Sequence, residues 1–261
     1  MKIGCCAYSY RQYLLSGKMN LKEFIDTAVE IEVDGVELTS YYFPSTKLNY
    51  LNEIKQYCFK KGIDISGAAI RSKLTLADKN ERQEQIKLVK KWLRYAMILG
   101  APELRVFAGI TPDGYTDQQA FEWAVASLKE CVPFAAKHGV IMALENHGGI
   151  TRTSSQVIQL IEAVNSKWLR VNLDTGNYGL DPNVDQYESM KRVAHLAVTA
   201  HHKVSMKTLN GHIPVDINKV VKILKNSDYK GYLNIEFEEN EDPKLGVPKV
   251  VKAIKNALLK N

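Results

Sequence analysis

The sequence predicts one α/β domain of strand–helix units closed into a barrel, and three observations predict it. Short apolar runs alternate with amphipathic stretches eight times along 261 residues, and no Pro- or Ser-rich linker interrupts them. Alternation of this kind implies a parallel sheet with right-handed crossovers, and eight units suffice to close it. Polar residues of catalytic type recur at the strand ends, where such a barrel carries its site. The expected architecture is therefore a single (β/α)8 TIM barrel over residues 1–261. An open doubly wound sheet is disfavoured, because no G-x-G-x-x-G follows the first strand and no G-x-x-x-x-G-K occurs.

Residues 2–7 read as the first strand, with Tyr8, Ser9 and Tyr10 at its C-terminal end. Asn20 caps a helix over about 21–31, where Leu21, Phe24, Ile25, Ala28 and Val29 share one face. Residues 35–38 form the second strand and 39–46 its loop; the helix at 47–61 stops at Gly62. The third strand spans 63–70, with Arg71 at its end, and the long helix 78–99 is closed by Gly100. Strand four is 103–107. Thr116 or Asp117 caps a helix to about His138, ended by Gly139. Strand five is 140–145, and Thr153 or Ser154 caps the helix through Val164. Strand six is 169–173, followed by a broken helix to about His195, and strand seven is 196–203. Asp216 caps a helix to about Lys225, strand eight is 231–237, and residues 243–260 form the closing helix.

Hydrophobic residues at 45% supply a core for a domain of this size, and 25% charged residues are ordinary for a soluble enzyme. The net charge of +6 comes from lysines scattered through the helices, which points to solubility and a mild preference for anionic substrates, with no nucleic-acid footprint. Cys5, Cys6, Cys58 and Cys131 show no C-x-x-C spacing and are expected to be reduced, buried thiols. The opening MKIGCCAYSY lacks a long apolar segment, and no stretch reaches the ~18 to 20 apolar residues that cross a bilayer. A cytoplasmic protein without membrane partners is expected.

The second half carries the chemistry. Four segments, VIMALENHGG, LRVNLDTGN, AVTAHHKVS and YLNIEFEE, each run from an apolar strand into a metal-binding type of residue: Glu145, Asp174, His201 with His202, and Glu236. Side chains alternate along a strand, so Glu145 shares a face with His147, His201 with Thr199 and Lys203, and Glu236 with Asn234 and Glu238. By the same parity His202 faces the helix layer. A single acid at a strand end is commonly a helix cap or a solvated loop residue. Recurrence on four successive strands is different. Carboxylates ~6 Å apart repel by about 3 kcal/mol per pair at an effective dielectric of 20, which a fold tolerates with a cation between them or with raised pKa values. One His and three carboxylates suit one divalent ion, Mn2+, Mg2+, Co2+ or Zn2+, without selecting among them.

Taken in order, the early DGVEL, the ALENHGG, the DTGN, the H-x-K of His201 to Lys203 and the Y-x-G-x-L-x-I-E-x-E run ending in Glu238 resemble the xylose-isomerase-like superfamily of sugar and sugar-phosphate isomerases and epimerases, over essentially the whole chain. The resemblance implies one divalent metal held by Glu145, Asp174, His201 and Glu236. It also implies a Glu145 and Glu236 acid/base pair that removes a proton beside a carbonyl and returns it elsewhere through an enediolate. Substrate contacts are expected from Arg71, His147, Asn177 and Lys203, and from Glu37, which either binds a sugar hydroxyl or orients a ligand histidine; Arg105 is expected in a structural ion pair, and Tyr8, Phe43, Trp123 and Tyr178 either in an apolar wall or, at least as often, in the core. Two positions depart from the pattern: Val204 stands where an Asp often follows the H-x-K, and Asn177 where the epimerases often have a His.

The expected partner is a small sugar or polyol, and both a monomer and a homo-oligomer are compatible with the helices. Competing readings are a metal-dependent dehydratase or lyase on a polyol or keto-sugar, and a non-catalytic sugar-binding barrel. A zinc-cluster nuclease on the same barrel is disfavoured by six histidines in all.

Overall fold

The apolar runs do form strands: β1 (Lys2–Cys6), β2 (Gly35–Thr39), β3 (Asp64–Ala69), β4 (Glu103–Val106), β5 (Ile141–Glu145), β6 (Leu169–Asp174) and β7 (Ala197–His202), then β8 (Ser205–Thr208), β9 (Gly211–Pro214) and β10 (Tyr232–Ile235). The helices are α1 (Arg11–Leu15), α2 (Leu21–Glu30), α3 (Leu48–Lys61), α4 (Lys79–Leu99), α5 (Asp117–His138), α6 (Ser154–Val164), α7 (Gln186–Ala194), α8 (Ile217–Asn226) and α9 (Pro243–Lys260). This is a computed structural model that describes residues 1–179, 184–208 and 210–260. Eight strands close a parallel barrel in the order β1-β10-β7-β6-β5-β4-β3-β2.

Local chemistry sets the helix ends. Asn20, Thr116 and Thr153 each accept a backbone N–H and complete a reciprocal capping box with Glu23, Gln119 and Gln156. Asp78 and Asp216 cap α4 and α8. The longer helices bury an apolar stripe: on α4 these are Ile86, Val89, Leu93 and Ala96, and on α2 Leu21, Phe24, Ile25 and Ala28.

Beyond one-residue shifts of element ends, the structure differs from expectation in four places, the first being α1 (Arg11–Leu15), which has no buried residue and so no apolar stripe to announce it. Strand eight is shorter than 231–237, ending at Ile235 so that Glu236 begins the loop. Of the broken helix to His195, the described part is Gln186–Ala194, and residues 180–183 lie outside the described residues. The antiparallel hairpin of β8 and β9 was not foreseen, because among its residues only Met206 is buried and no apolar alternation announces it.

The lumen below the strand ends is filled by polar side chains. Ser66 donates to Asn234 at 2.8 Å, and the Asn234 amide donates to Thr199 at 3.0 Å. Glycine makes room for them: a Cβ on Gly4 would stand 1.9 Å from Asn234 Oδ1, and one on Gly67 would stand 1.6 Å from Glu103 Oε1. This packed plug closes the barrel from below, so access to the polar cluster above it is from the C-terminal end.

Candidate metal centre

Barrel closure brings Glu145, Asp174, His201 and Glu236 together from β5, β6, β7 and the residue after β10. One donor atom from each lies within 4.8 Å of the others, and all four residues are buried. His201 is held by its far nitrogen. Its Nε2 lies 2.8 Å from Glu37 Oε1 on β2, and since Glu37 is held ionised, that nitrogen is the donor. The remaining Nδ1 then faces the three carboxylates, at 3.6 Å from Glu145, 4.0 Å from Asp174 and 3.6 Å from Glu236.

The carboxylates are positioned in their turn. Glu145 Oε2 lies 3.2 Å from Arg105 Nε and accepts the Asn172 amide at 3.1 Å, while its Oε1 accepts from Asn177 at 3.4 Å. Asn146 bonds the Asp174 backbone in both directions, and Asp174 Oδ1 accepts the Gly176 N–H at 2.8 Å. Lys203 sends its ammonium to Asp174, Glu236 and Glu238 at 3.3–3.4 Å. Cys6 donates its S–H to Glu37 Oε2 at 2.9 Å and sits 4.0 Å from Glu236 Oε1. With His201 and Glu236 it forms a second close-set group of donor types.

This crowding moves the titrations. Burial pulls His201 down, but the charges of Glu37 and Glu236 outweigh it and push the imidazole up to about 10. Burial raises Asp174 to about 7 despite Lys203, and raises Glu145 against Arg105 and His201. Glu236 goes the other way: burial would raise it, yet Lys203 and His201 together bring it to about 2. For Lys203 the surrounding carboxylates overcome burial and hold the ammonium well above its ordinary range.

Two buried atoms of the cluster, His201 Nδ1 and Asp174 Oδ2, have no hydrogen-bond partner among the described residues. A buried polar atom left so is costly. A divalent ion among the four donors would satisfy both, and one nitrogen with carboxylate oxygens is a donor set such ions accept. The residues present fit a metal.

Beside the cluster opens a cavity of about 460 Å³, with Glu145 and Glu236 in its wall. Arg71 and His147 also line it; the His147 ring packs at a tilt of 33° against Phe107, with ring centroids 4.1 Å apart. Asn177 and Lys203 instead line a smaller neighbouring cavity with the β8–β9 hairpin, and Glu37 touches neither. Glu37 thus lies behind His201, on the nitrogen that faces away from the other carboxylates, and outside both cavity walls; of its two expected roles this placement suits orienting the histidine.

Of the candidate apolar wall, Tyr8 lines the main cavity, and Phe43, Trp123 and Tyr178 do not. Phe43 packs on Trp92, Trp123 meets Arg82 and Tyr115, and Tyr178 is fully buried. The apolar side is formed by Tyr41, Leu76, Phe107 and Ile110. His202 is buried on the opposite face of β7 from His201, as parity required. Cys6, Asn146 and Asn172 were not picked out from the sequence. Only Asn172 carried a signal, sharing its face of β6 with Asp174.

The model of the xylose isomerase-like TIM barrel family matches residues 25–257. The chain belongs to this family. Within it, the chain is similar to the hydroxypyruvate isomerase of Escherichia coli (strain K12), with 24% identity over 167 residues, 59% of this chain and 62% of that protein. The match thus spans less than two thirds of that relative. Among solved structures, a D-psicose 3-epimerase studied in the presence of D-fructose superposes with a TM-score of 0.80 at 15% identity, covering 100% of this chain and 98% of that one. The zinc-bound IOLI protein superposes with a TM-score of 0.79 at 17% identity, over 100% and 97% of the two chains. At such identities these two share the fold of this family member.

Proposed function

We propose that the protein is a divalent-metal-dependent isomerase or epimerase of a small sugar or sugar phosphate, working by proton transfer beside a carbonyl. The observation that carries this is the pair of buried donor atoms without a hydrogen-bond partner, His201 Nδ1 and Asp174 Oδ2, in a cluster whose two glutamates also line a substrate-sized cavity. Glu145, Asp174, His201 and Glu236 would hold the ion. Bound there, it supplies Lewis-acid stabilisation of the negative charge that develops on a substrate oxygen when the adjacent carbon loses its proton.

The side chains do the rest. Glu236, with the Lys203 ammonium beside it, takes a proton from carbon at its carboxylate oxygen. Glu145, on a different strand, returns a proton from its own carboxyl, which burial keeps raised. Lys203 pairs with Asp174 and Glu236 and orients both. The four donor residues are buried, and low-dielectric surroundings strengthen each of these interactions. The names of the similar proteins, a hydroxypyruvate isomerase and a D-psicose 3-epimerase, fit this chemistry.

Elemental analysis of protein purified without chelator tests the reading. About one divalent ion per chain is expected in the wild type, weakened or lost in His201→Ala and Glu236→Gln. Ketoses and polyols are then screened in D2O by proton NMR for deuterium uptake beside the carbonyl. Glu236→Gln should slow turnover by ~10² to 10⁴-fold, the usual worth of a general acid or base. Absence of bound metal even with added Mn2+, Mg2+, Co2+ or Zn2+ would refute the assignment, and a product that has lost water would replace isomerisation with dehydration.

A further inference from the structure

The main cavity is chemically two-sided. One side is the donor cluster with Glu145 and Glu236; the other is built from the loops after β3 and β4 and carries Arg71 and Lys73. Arg71 lies over the Tyr41 ring, 5.4 Å from its centroid, and both side chains are exposed. Among the described residues neither has a carboxylate within ion-pair distance. The other cations of the site are all engaged: Arg105 with Glu145, Lys203 with Asp174, Glu236 and Glu238.

The positive groups left without a carboxylate partner are Arg71 and Lys73, both in the loop after β3 that lines this cavity. A neutral sugar would leave both as they are, whereas an anionic substituent would meet a forked guanidinium and an ammonium together.

We propose that Arg71 and Lys73 form an anion subsite, so that the substrate is an acidic sugar derivative, a carboxylate or a phosphate ester, with its polyol end at the metal donors and its anionic end at these two side chains. The proposal rests on the metal-dependent reading above for the orientation of the substrate, and it names the substrate class that reading leaves open. Because both cations are exposed, the preference for anions must weaken as salt is added.

Calorimetric binding to the metal-loaded protein tests it, using three probes with one carbon skeleton: erythritol, erythronate and erythritol 4-phosphate. At low salt at least one anion should bind about tenfold or more tighter than erythritol, the worth of one charge-assisted contact. Which of the two wins separates carboxylate from phosphate. In the Arg71→Gln/Lys73→Gln double variant the preference should fall to within about threefold, as it should at high salt. Unchanged metal uptake and melting temperature show that the exposed pair was removed without disturbing the fold. Equal binding of the three probes, no measurable binding of either anion, or an anion preference that survives the double substitution would overturn the proposal; the last would mean that the anion is read at the donor cluster.

Binding needs no turnover, so the two readings fail separately. Anion preference without deuterium exchange would remove the isomerase assignment and keep the subsite. Turnover of neutral ketoses with no anion preference would do the reverse.

Discussion

Glu37 and Glu103 are both buried carboxyls in the same lumen, yet the upper and lower regions treat them in opposite ways. Glu37, at the level of the donor cluster, has His201 on one oxygen and Cys6 on the other, and His201 holds its carboxyl below the ordinary range despite burial. Glu103, two residues before Arg105 on the same face of β4, has no hydrogen-bond partner on either oxygen among the described residues. Burial first, and the charge of Glu37 second, push it well above the ordinary range, so it stays protonated. Burial alone neutralises a carboxyl; burial with a fixed donor keeps it charged. The upper lumen is a charged network ready for a cation, and the lower lumen is a neutral plug.

The largest effect should come from breaking the charge above. Glu37→Gln keeps the shape but removes the ionised acceptor that holds His201 Nε2–H, so divalent-ion affinity should fall by ~10 to 100-fold, as is usual for a partner of a metal-binding histidine. Competition against a fluorescent chelator measures this. An unchanged affinity would mean that the upper lumen is held by packing, and the contrast with Glu103 would collapse.

A smaller effect should appear with pH. In the metal-free protein His201 holds a proton up to about 10 and Asp174 up to about 7, and an incoming cation must displace those protons. Protonation competes with the metal, so affinity rises with pH, by up to about tenfold per unit for each proton displaced. Titration at about pH 6 and about pH 8, in buffers of different ionisation enthalpy, reads both the slope and the protons released. A flat profile would show that the donors are already deprotonated.

The smallest effect belongs to the plug. Because Glu103 is raised in the folded state, the native protein holds a proton that the unfolded chain has released at neutral pH, so stability falls as pH rises above the unfolded value. Glu103→Gln removes that loss. Relative to wild type the variant should gain stability with pH, by at most about 1.4 kcal/mol per unit, and should leave metal affinity unchanged. Thermal melts from acidic to mildly alkaline pH would show it; a variant less stable than wild type throughout would mean that Glu103 is charged and partnered.

Much of this was legible without coordinates. The alternation of apolar runs and capped helices was enough for the closed barrel, because caps such as Asn20 and Thr153 and the stripe on α4 are set by residues a few positions apart. Strand parity likewise placed Glu145, Asp174, His201 and Glu236 on inward faces and turned His202 outward. The hairpin of β8 and β9 escaped because its exposed residues leave no periodic mark. The apolar wall stayed open between two readings, because aromatic residues near strand ends pack on helices as readily as they line a cavity: Phe43 packs on Trp92, and Tyr8 lines the cavity.

The sequence by itself determined the donor types and the faces they occupy, since both follow from residue chemistry and a period of two. Only the tertiary structure decided which nitrogen of His201 faces the carboxylates, that Cys6 and Glu37 stand behind it, and that Arg71 and Lys73 end up across a cavity from Glu236. Those relations join residues as far apart as 37 and 201, or 71 and 236. They depend on barrel closure and on the register of neighbouring strands, which no local pattern encodes.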